Sequence, residues 1–136
     1  MKILARLLFW KEKMILAIDA TGDNLIKMAL FRPSTIEVEK IVEGRNKTNN
    51  ILIEIDRFIN KNNAKYKDLR AIVVARDPGS YTKTRIAITI ANVVAWSLNI
   101  PVFGFRDMTP IDAVKKFYPK LKDQKKFTKI VKPFYS

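Results

Sequence analysis

Cysteine and histidine are both missing from this chain of 136 residues. Without cysteine it has no disulfide framework, no thiolate nucleophile and no cysteine-rich zinc site. Without histidine it has no Ser-His-Asp triad, no HExxH zinc site and no imidazole base near neutral pH. Any catalysis would have to use carboxylates, lysine, tyrosine or a hard cation such as magnesium. The two absences therefore exclude most classes of enzyme.

Acidic residues are few: 13 Asp and Glu stand against 26 Lys and Arg, which gives a net charge of +13. Residues 1–13 contribute +3, residues 14–105 contribute +4, and residues 106–136 contribute +6. A polyanion such as nucleic acid is the usual partner of such an excess. The abundance of Lys, Ile and Asn is equally explained by an AT-rich genome. The net charge alone therefore does not decide whether this protein binds nucleic acid.

Two apolar stretches are candidate membrane segments. Residues 1–10 carry Lys2 and Arg6, are too short to span a bilayer and precede no small-residue cleavage site. Residues 86–105 are uncharged, but Asn99 and Pro101 break them with a turn. We therefore expect a cytoplasmic protein, in which residues 1–13 form a leader or an extra N-terminal segment.

The spacing of apolar residues predicts an α/β lobe. Runs of period 2 or continuous apolar character indicate strands, and an i, i+4, i+7 pattern indicates amphipathic helices. The predicted strands are 14–18, 25–31, 35–42, 71–75 and 101–105, and the predicted helices are 47–62, 82–98 and 109–117. The order β-β-β-α-β-α-β-α predicts a mixed five-stranded sheet with crossover helices. This is the ribonuclease H-like unit shared by actin-like ATPase domains.

The predicted helix at 82–98 lacks charge on its outer side. Ile86, Ile90, Val93 and Val94 are predicted to face the sheet, and the remaining polar stripe is uncharged. A surface helix normally carries charge there. Only about 30 residues follow the last predicted strand, which is little material to cover the helix internally. We therefore expect its outer face to contact a partner.

Carboxylates at the strand ends allow an alternative interpretation. Ribonuclease H-type nucleases hold two magnesium ions about 4 Å apart with carboxylates from the first strand, the first helix and the fourth strand. The matching residues here are Asp19, Glu54 or Asp56, Asp77 and Asp107. They could equally be turn residues and solvent-side charges of a helix. A magnesium-dependent nuclease and a stand-alone basic RNA-binding module therefore remain alternatives.

Four segments resemble the TsaB (YeaZ) family. The segment ARDPGSYTKTRIA at 75–87 resembles the family signature GRGPGSFTGLRIG, and MILAIDAT at 14–21 resembles its opening ILAIDTS. KTNNIL at 47–52 resembles the helix start H[ST]xxLL, and LNIPVFGF at 98–105 resembles the stretch after the signature helix. Four signature glycines are replaced, by Ala75, Asp77, Lys83 and Ala87.

The resemblance implies a non-catalytic actin-like lobe over 14–108, without cofactor or metal, followed by a short basic remnant of a second domain at 109–136. Residues 131–135 resemble the family's final strand. The implied function is that of a subunit which heterodimerises with a TsaD-type enzyme for threonylcarbamoyladenosine modification of tRNA. A TsaE-like ATPase is a further expected partner, and a homodimer is expected without the TsaD-type partner.

The family's dimer uses the helices that match 47–62 and 82–98. The predicted partner interface consists of Thr48, Ile51, Leu52, Ile55, Ile88, Thr89, Asn92 and Trp96. The predicted signature loop and helix start consist of Pro78, Gly79, Ser80, Tyr81, Thr82 and Arg85. The lysines predicted to contact tRNA are Lys115, Lys116, Lys120, Lys122, Lys125 and Lys126.

Overall fold

A computed structural model describes the chain over residues 14–22, 25–32, 35–43, 51–77 and 81–134. Its strands and helices follow one another in the predicted order. The strands are β1 (Met14–Asp19), β2 (Leu25–Arg32), β3 (Thr35–Glu43), β4 (Leu69–Ala75) and β5 (Val102–Phe105). The helices are α1 (Ile51–Lys61), α2 (Tyr81–Leu98) and α3 (Pro110–Phe117). Among the described residues, no helix combines the length and the apolar character that crossing a membrane requires.

The strands form one mixed sheet in the order β3-β2-β1-β4-β5. β1, β2 and β3 pair antiparallel, whereas β1 with β4 and β4 with β5 pair parallel. Short turns are sufficient between antiparallel neighbours, but parallel neighbours need a crossover, which α1 and α2 provide. β1 and β4 are central and almost wholly buried. This position explains their continuous apolar sequences.

Helices cover both faces of the sheet. α1 and α2 contact each other on one face, where Phe58 of α1 and Ala91 of α2 belong to the same core. α3 covers the opposite face, where Val114 and Phe117 pack against Val73 and its neighbours. The segment after residue 109 therefore helps to bury the sheet, because its apolar stripe points inward.

Residues 127–134, which we call the C-terminal strap, run along α2 and past β5. The Asn92 amide donates to the Val131 carbonyl (2.9 Å) and its side-chain oxygen accepts from the Val131 N–H (2.8 Å). The Phe134 N–H donates to the Arg76 carbonyl at 3.0 Å. Residues 131–134, which resemble the family's final strand, form no strand here, because the strap bonds to a side chain and a loop carbonyl instead of a strand ladder.

Gly104 of β5 allows the strap to approach the sheet. A Cβ added there would lie 2.9 Å from Val131 Cγ1 and 2.7 Å from Arg76 Cδ, so at least one of them would have to move. We expect Gly104→Ala to lower the free energy of unfolding by about 1–3 kcal/mol, as overpacked cores do. Urea unfolding measures the loss.

Gly22→Ala is the matched control for Gly104. Its added Cβ would meet Leu25 no closer than 3.4 Å, which is ordinary contact. We expect little change in stability there. A tolerated Gly104→Ala, or an equal loss in both variants, would contradict the close packing of the strap on β5.

Candidate functional site

The outward face of α2 carries an uncharged ridge. Thr89, Val93 and Trp96 follow one another at i, i+4 and i+7, and all three are exposed, Val93 by 55% and Trp96 by 68%. The Thr89 hydroxyl donates to the Arg85 carbonyl one turn earlier at 2.9 Å. The ridge is therefore dominated by two large apolar side chains in water. Such a cluster is typical of a contact surface.

α1 adds two more exposed apolar side chains on the same face of the sheet. Leu52 is 48% exposed and Ile53 is 47% exposed. We call these exposed side chains of the two neighbouring helices the docking patch, which consists of Leu52, Ile53, Thr89, Val93 and Trp96. The sequence interpretation missed Ile53 and placed Val93 against the sheet. Ile53 could have been predicted to be exposed because it lies outside the apolar stripe that α1 buries. Val93 could have been predicted to be exposed because it is four residues after Thr89, on the same side of α2.

Three residues predicted at the interface lie instead in the core. Ile51, Ile55 and Ile88 are 0%, 1% and 2% exposed, because they fill the space between the two helices and the sheet. Asn92 is not free for a partner either, because its side-chain amide is hydrogen-bonded to Val131 of the C-terminal strap. The strap therefore covers one flank of α2, which the sequence analysis did not expect. Thr48 lies outside the described residues.

The signature loop is described only in part. Pro78, Gly79 and Ser80 lie outside the described residues, and Tyr81 is placed as the first residue of α2. Thr82 and Arg85 are exposed on the first turns of that helix. The assignment of these six residues to a signature loop and helix start therefore stays a prediction.

Lys83 replaces a signature glycine and is buried, with 5% of its surface exposed. Its ammonium donates to the carbonyls of Gly22 (2.6 Å) and Leu25 (3.2 Å). A buried ammonium needs such acceptors, because its desolvation is otherwise very costly. The contact ties the start of α2 to the connection between β1 and β2. Sequence reasoning missed it, although a lysine on the inward side of a helix is a usable signal.

The carboxylates of the nuclease interpretation are engaged locally. Asp19 accepts the backbone N–H of Thr21 (2.9 Å) and its hydroxyl (2.6 Å), which is a side-chain turn after β1. Asp56 of α1 accepts the Tyr66 hydroxyl. Burial, together with the hydrogen bond to Asp56 and its negative charge, raises the pKa of Tyr66 well above its usual value. That hydroxyl therefore stays protonated and serves as a donor.

Asp77 and Glu54 also have partners of their own. Asp77 accepts from Arg106 Nε at 3.0 Å and from the Asp107 N–H at 2.9 Å, and Glu54 pairs with Arg57 at 3.2 Å. Over the described ranges, no three metal-ligating side chains are grouped so that they could hold a metal ion. The predicted convergence of carboxylates is therefore wrong, because Asp19, Glu54, Asp56 and Asp77 are bonded to separate donors instead of converging on one site.

The predicted tRNA-contacting lysines share one segment of the fold. Lys115 and Lys116 lie in the last turn of α3, and Lys120 and Lys122 lie in the 3₁₀ helix Tyr118–Lys122 that follows it. All of the segment's lysines are exposed. We call them the basic surface, which consists of Lys115, Lys116, Lys120, Lys122, Lys125, Lys126, Lys129 and Lys132.

Comparison with known proteins finds similarity over most of the described lobe. A family model described as TsaD: tRNA N6-adenosine threonylcarbamoyltransferase matches residues 40–120. The tRNA threonylcarbamoyladenosine biosynthesis protein TsaB of Bacillus subtilis (strain 168) is 39% identical over 100 residues, which are 73% of this chain and 43% of that protein. TsaB of Escherichia coli (strain K12) is 31% identical over 90 residues, which are 66% of this chain and 38% of that protein.

Solved structures show the same fold. YeaZ from Pseudomonas aeruginosa superposes with a TM-score of 0.62 at 23% identity, over 79% of this chain and 50% of that chain. This likeness confirms the predicted α/β fold of the ribonuclease H-like and actin-like class. The chain spans less than half the length of the two curated relatives.

Proposed function

Because this chain belongs to the TsaB (YeaZ) family and matches the family model described as TsaD: tRNA N6-adenosine threonylcarbamoyltransferase, we propose that it is a TsaB-like partner subunit. In this role it docks on a TsaD-like catalytic subunit and takes part in threonylcarbamoyladenosine biosynthesis on tRNA. The main support for this proposal is the docking patch, where α1 and α2 expose four large apolar side chains. The patch corresponds to the helices that the sequence resemblance assigned to a dimer.

The energetics of the patch favour burial against another protein. An exposed Trp can remove roughly 150 Å² from water on binding, which is worth about 3–4 kcal/mol before the costs of association. Trp96 is also the most exposed of the large hydrophobic side chains in the described residues. Tryptophan at the centre of an apolar surface is the residue type that most often dominates binding energy. Trp96 is therefore the proposed anchor of the contact.

The residues available favour a supporting role over a catalytic one. The chain has neither histidine nor cysteine. Its strand-end carboxylates are engaged by neighbouring donors, which suits a structural use of those side chains. We propose that the partner supplies the chemistry. A TsaE-like ATPase as third component and a homodimer of the isolated chain stay predictions.

Co-expression with the TsaD-like protein of the same genome tests the proposal. We expect a 1:1 complex on size-exclusion chromatography with light scattering, and calorimetric titration of the separate proteins should give its affinity. The chain alone at the same concentration reveals whether the patch pairs with a second copy instead. Failure of the two proteins to associate at tens of micromolar would overturn the assignment of the patch.

A further inference from the structure

The basic surface holds more than half of the chain's net charge. Between residues 115 and 132 there are eight lysines and one acid, Asp123, which gives a net charge of +7 within 18 residues. Every one of these lysines is exposed. Over the described ranges, no ion pair is recorded for Lys122, Lys125 or Lys126. None of these three lysines is therefore paired with a carboxylate of the described fold, and Asp123 is the one acid among them.

Aromatic rings position two further lysines. Phe103 and Phe117 stack with their centroids 4.7 Å apart. The Lys120 ammonium lies 5.1 Å from the Phe117 centroid and 5.9 Å from that of Phe103, and Lys116 lies 5.5 Å from Phe117. Such contacts hold a cation loosely while leaving it hydrated and accessible. The charges of Lys116 and Lys120 thus add to those of the lysines that follow in the chain.

The lysine-bearing segment is fixed to the fold at both ends. Leu121 is 2% exposed within the core beneath α3, and Asn92 holds Val131 by two hydrogen bonds. Between these anchors the chain forms an open depression of about 420 Å³. Its lining consists of Lys122, Asp123, Gln124, Lys125, Lys126 and Thr128. Three cations, one carboxylate and two neutral hydrogen-bonding side chains therefore surround one concave surface, which leaves it a net positive charge.

We propose that the basic surface binds the phosphate backbone of RNA, with Lys122, Lys125 and Lys126 at the centre of the contact. Lysines that neutralise phosphates release condensed counterions, which drives such binding. Gln124 and Thr128 are the types of side chain that donate to phosphate and sugar oxygens. The choice of RNA over DNA rests on the proposed function, whereas the phosphate chemistry rests on the charge and shape of the surface.

An anionic membrane is a poorer fit to the same charges. Interfacial membrane binding needs an exposed apolar face beside the lysines. Here the apolar side chains of α3, Val114 and Phe117, face the core and are buried. The depression itself is lined by polar and charged side chains. Ile130, between Lys129 and Lys132, is 53% exposed, but one apolar side chain does not make the apolar face that interfacial binding needs.

Fluorescence anisotropy of the full chain with a labelled tRNA transcript tests the proposal, with salt as a variable. The test variant is Lys122→Gln/Lys125→Gln/Lys126→Gln. The matched control is Lys61→Gln/Lys65→Gln/Lys67→Gln, which removes the same charge from three exposed lysines of α1 and the segment after it. The test triple should weaken binding by roughly 10–100-fold near 0.1 M salt and lower the slope of log K against log [salt] by about 2–3. The control should change affinity no more than about 3-fold.

Several results would overturn this inference. Absence of tRNA binding by the wild type at low salt would do so, as would equal losses in the two triples, since net charge alone would then explain binding. Preference for vesicles of anionic lipid over tRNA would assign the surface to membranes instead. The test triple should still form the complex with the TsaD-like protein. A wild-type chain that docks on the TsaD-like protein but binds no tRNA would reject this inference while leaving the proposed function standing.

Discussion

Trp96→Glu is expected to abolish the complex with the TsaD-like partner while the chain itself remains folded. Trp96 is 68% exposed, so its replacement costs the isolated chain little. In the complex the carboxylate would be buried without a partner, and the anchor would be lost. Loss of an interface anchor costs about 2 kcal/mol or more, so affinity should fall by at least roughly 30-fold. Calorimetric titration measures the affinity, and thermal unfolding of the variant alone measures its stability.

Gln124→Glu is the matched control for this prediction. It adds the same charge at an exposed neutral position outside the docking patch. We expect it to bind the TsaD-like protein like the wild type. If Trp96→Glu retained wild-type affinity, the patch would not be the docking surface. If it lost binding only together with its folded state, Val93→Glu would provide the independent test, since Val93 is 55% exposed on the same ridge.

Asn92→Ala is expected to detach the C-terminal strap and to lower the free energy of unfolding by about 2–3 kcal/mol. The amide makes two hydrogen bonds to Val131, and each is worth about 1 kcal/mol when the backbone groups can reach water on release. Further stability is lost because Val131 is 8% exposed and leaves the core. Urea unfolding measures the stability, and hydrogen exchange of the Val131 amide shows whether the strap has detached.

Two further variants make this prediction specific. Asn92→Asp should also destabilise the chain, because the donor to the Val131 carbonyl becomes a second acceptor that repels it. Asn60→Ala removes the same group from an exposed position of α1 and should change the free energy of unfolding by less than about 0.5 kcal/mol. An Asn92→Ala chain as stable as the wild type, with a protected Val131 amide, would show that the strap is held by other contacts.

The order of the elements was predictable because burial imposes a period on the local sequence. β1 and β4 are central strands and read as continuous apolar runs, while α1 buries the stripe that its i, i+4 spacing indicated. The uncharged outer side of α2 was visible in the same way. Thr89 and Trp96 were placed on it and are exposed. Local periodicity was therefore sufficient to predict the order of the elements and part of the docking patch.

Long-range partners could not be predicted from periodicity. Asn92 lies on the uncharged side of α2. The local sequence would be the same whether its amide contacted a partner protein or Val131, which is 39 residues later in the chain. Lys83 likewise bonds to Gly22, 61 residues earlier, and no local pattern encodes that contact. The carboxylates were grouped by the topology of their strands. Whether such side chains converge on a metal or bind their own turns depends on distances that the sequence does not contain.

Asn92 and Trp96 lie one turn apart on α2, and this proximity couples two events. Asn92 holds the end of the described chain, and Trp96 is the anchor of the proposed docking surface. If a partner orders this turn of the helix, docking favours an attached strap, and an attached strap favours docking. Such coupling is reciprocal, so both effects must have the same free energy. Resistance of the strap to proteolysis would thus report the occupancy of the docking patch, one helical turn away from Asn92.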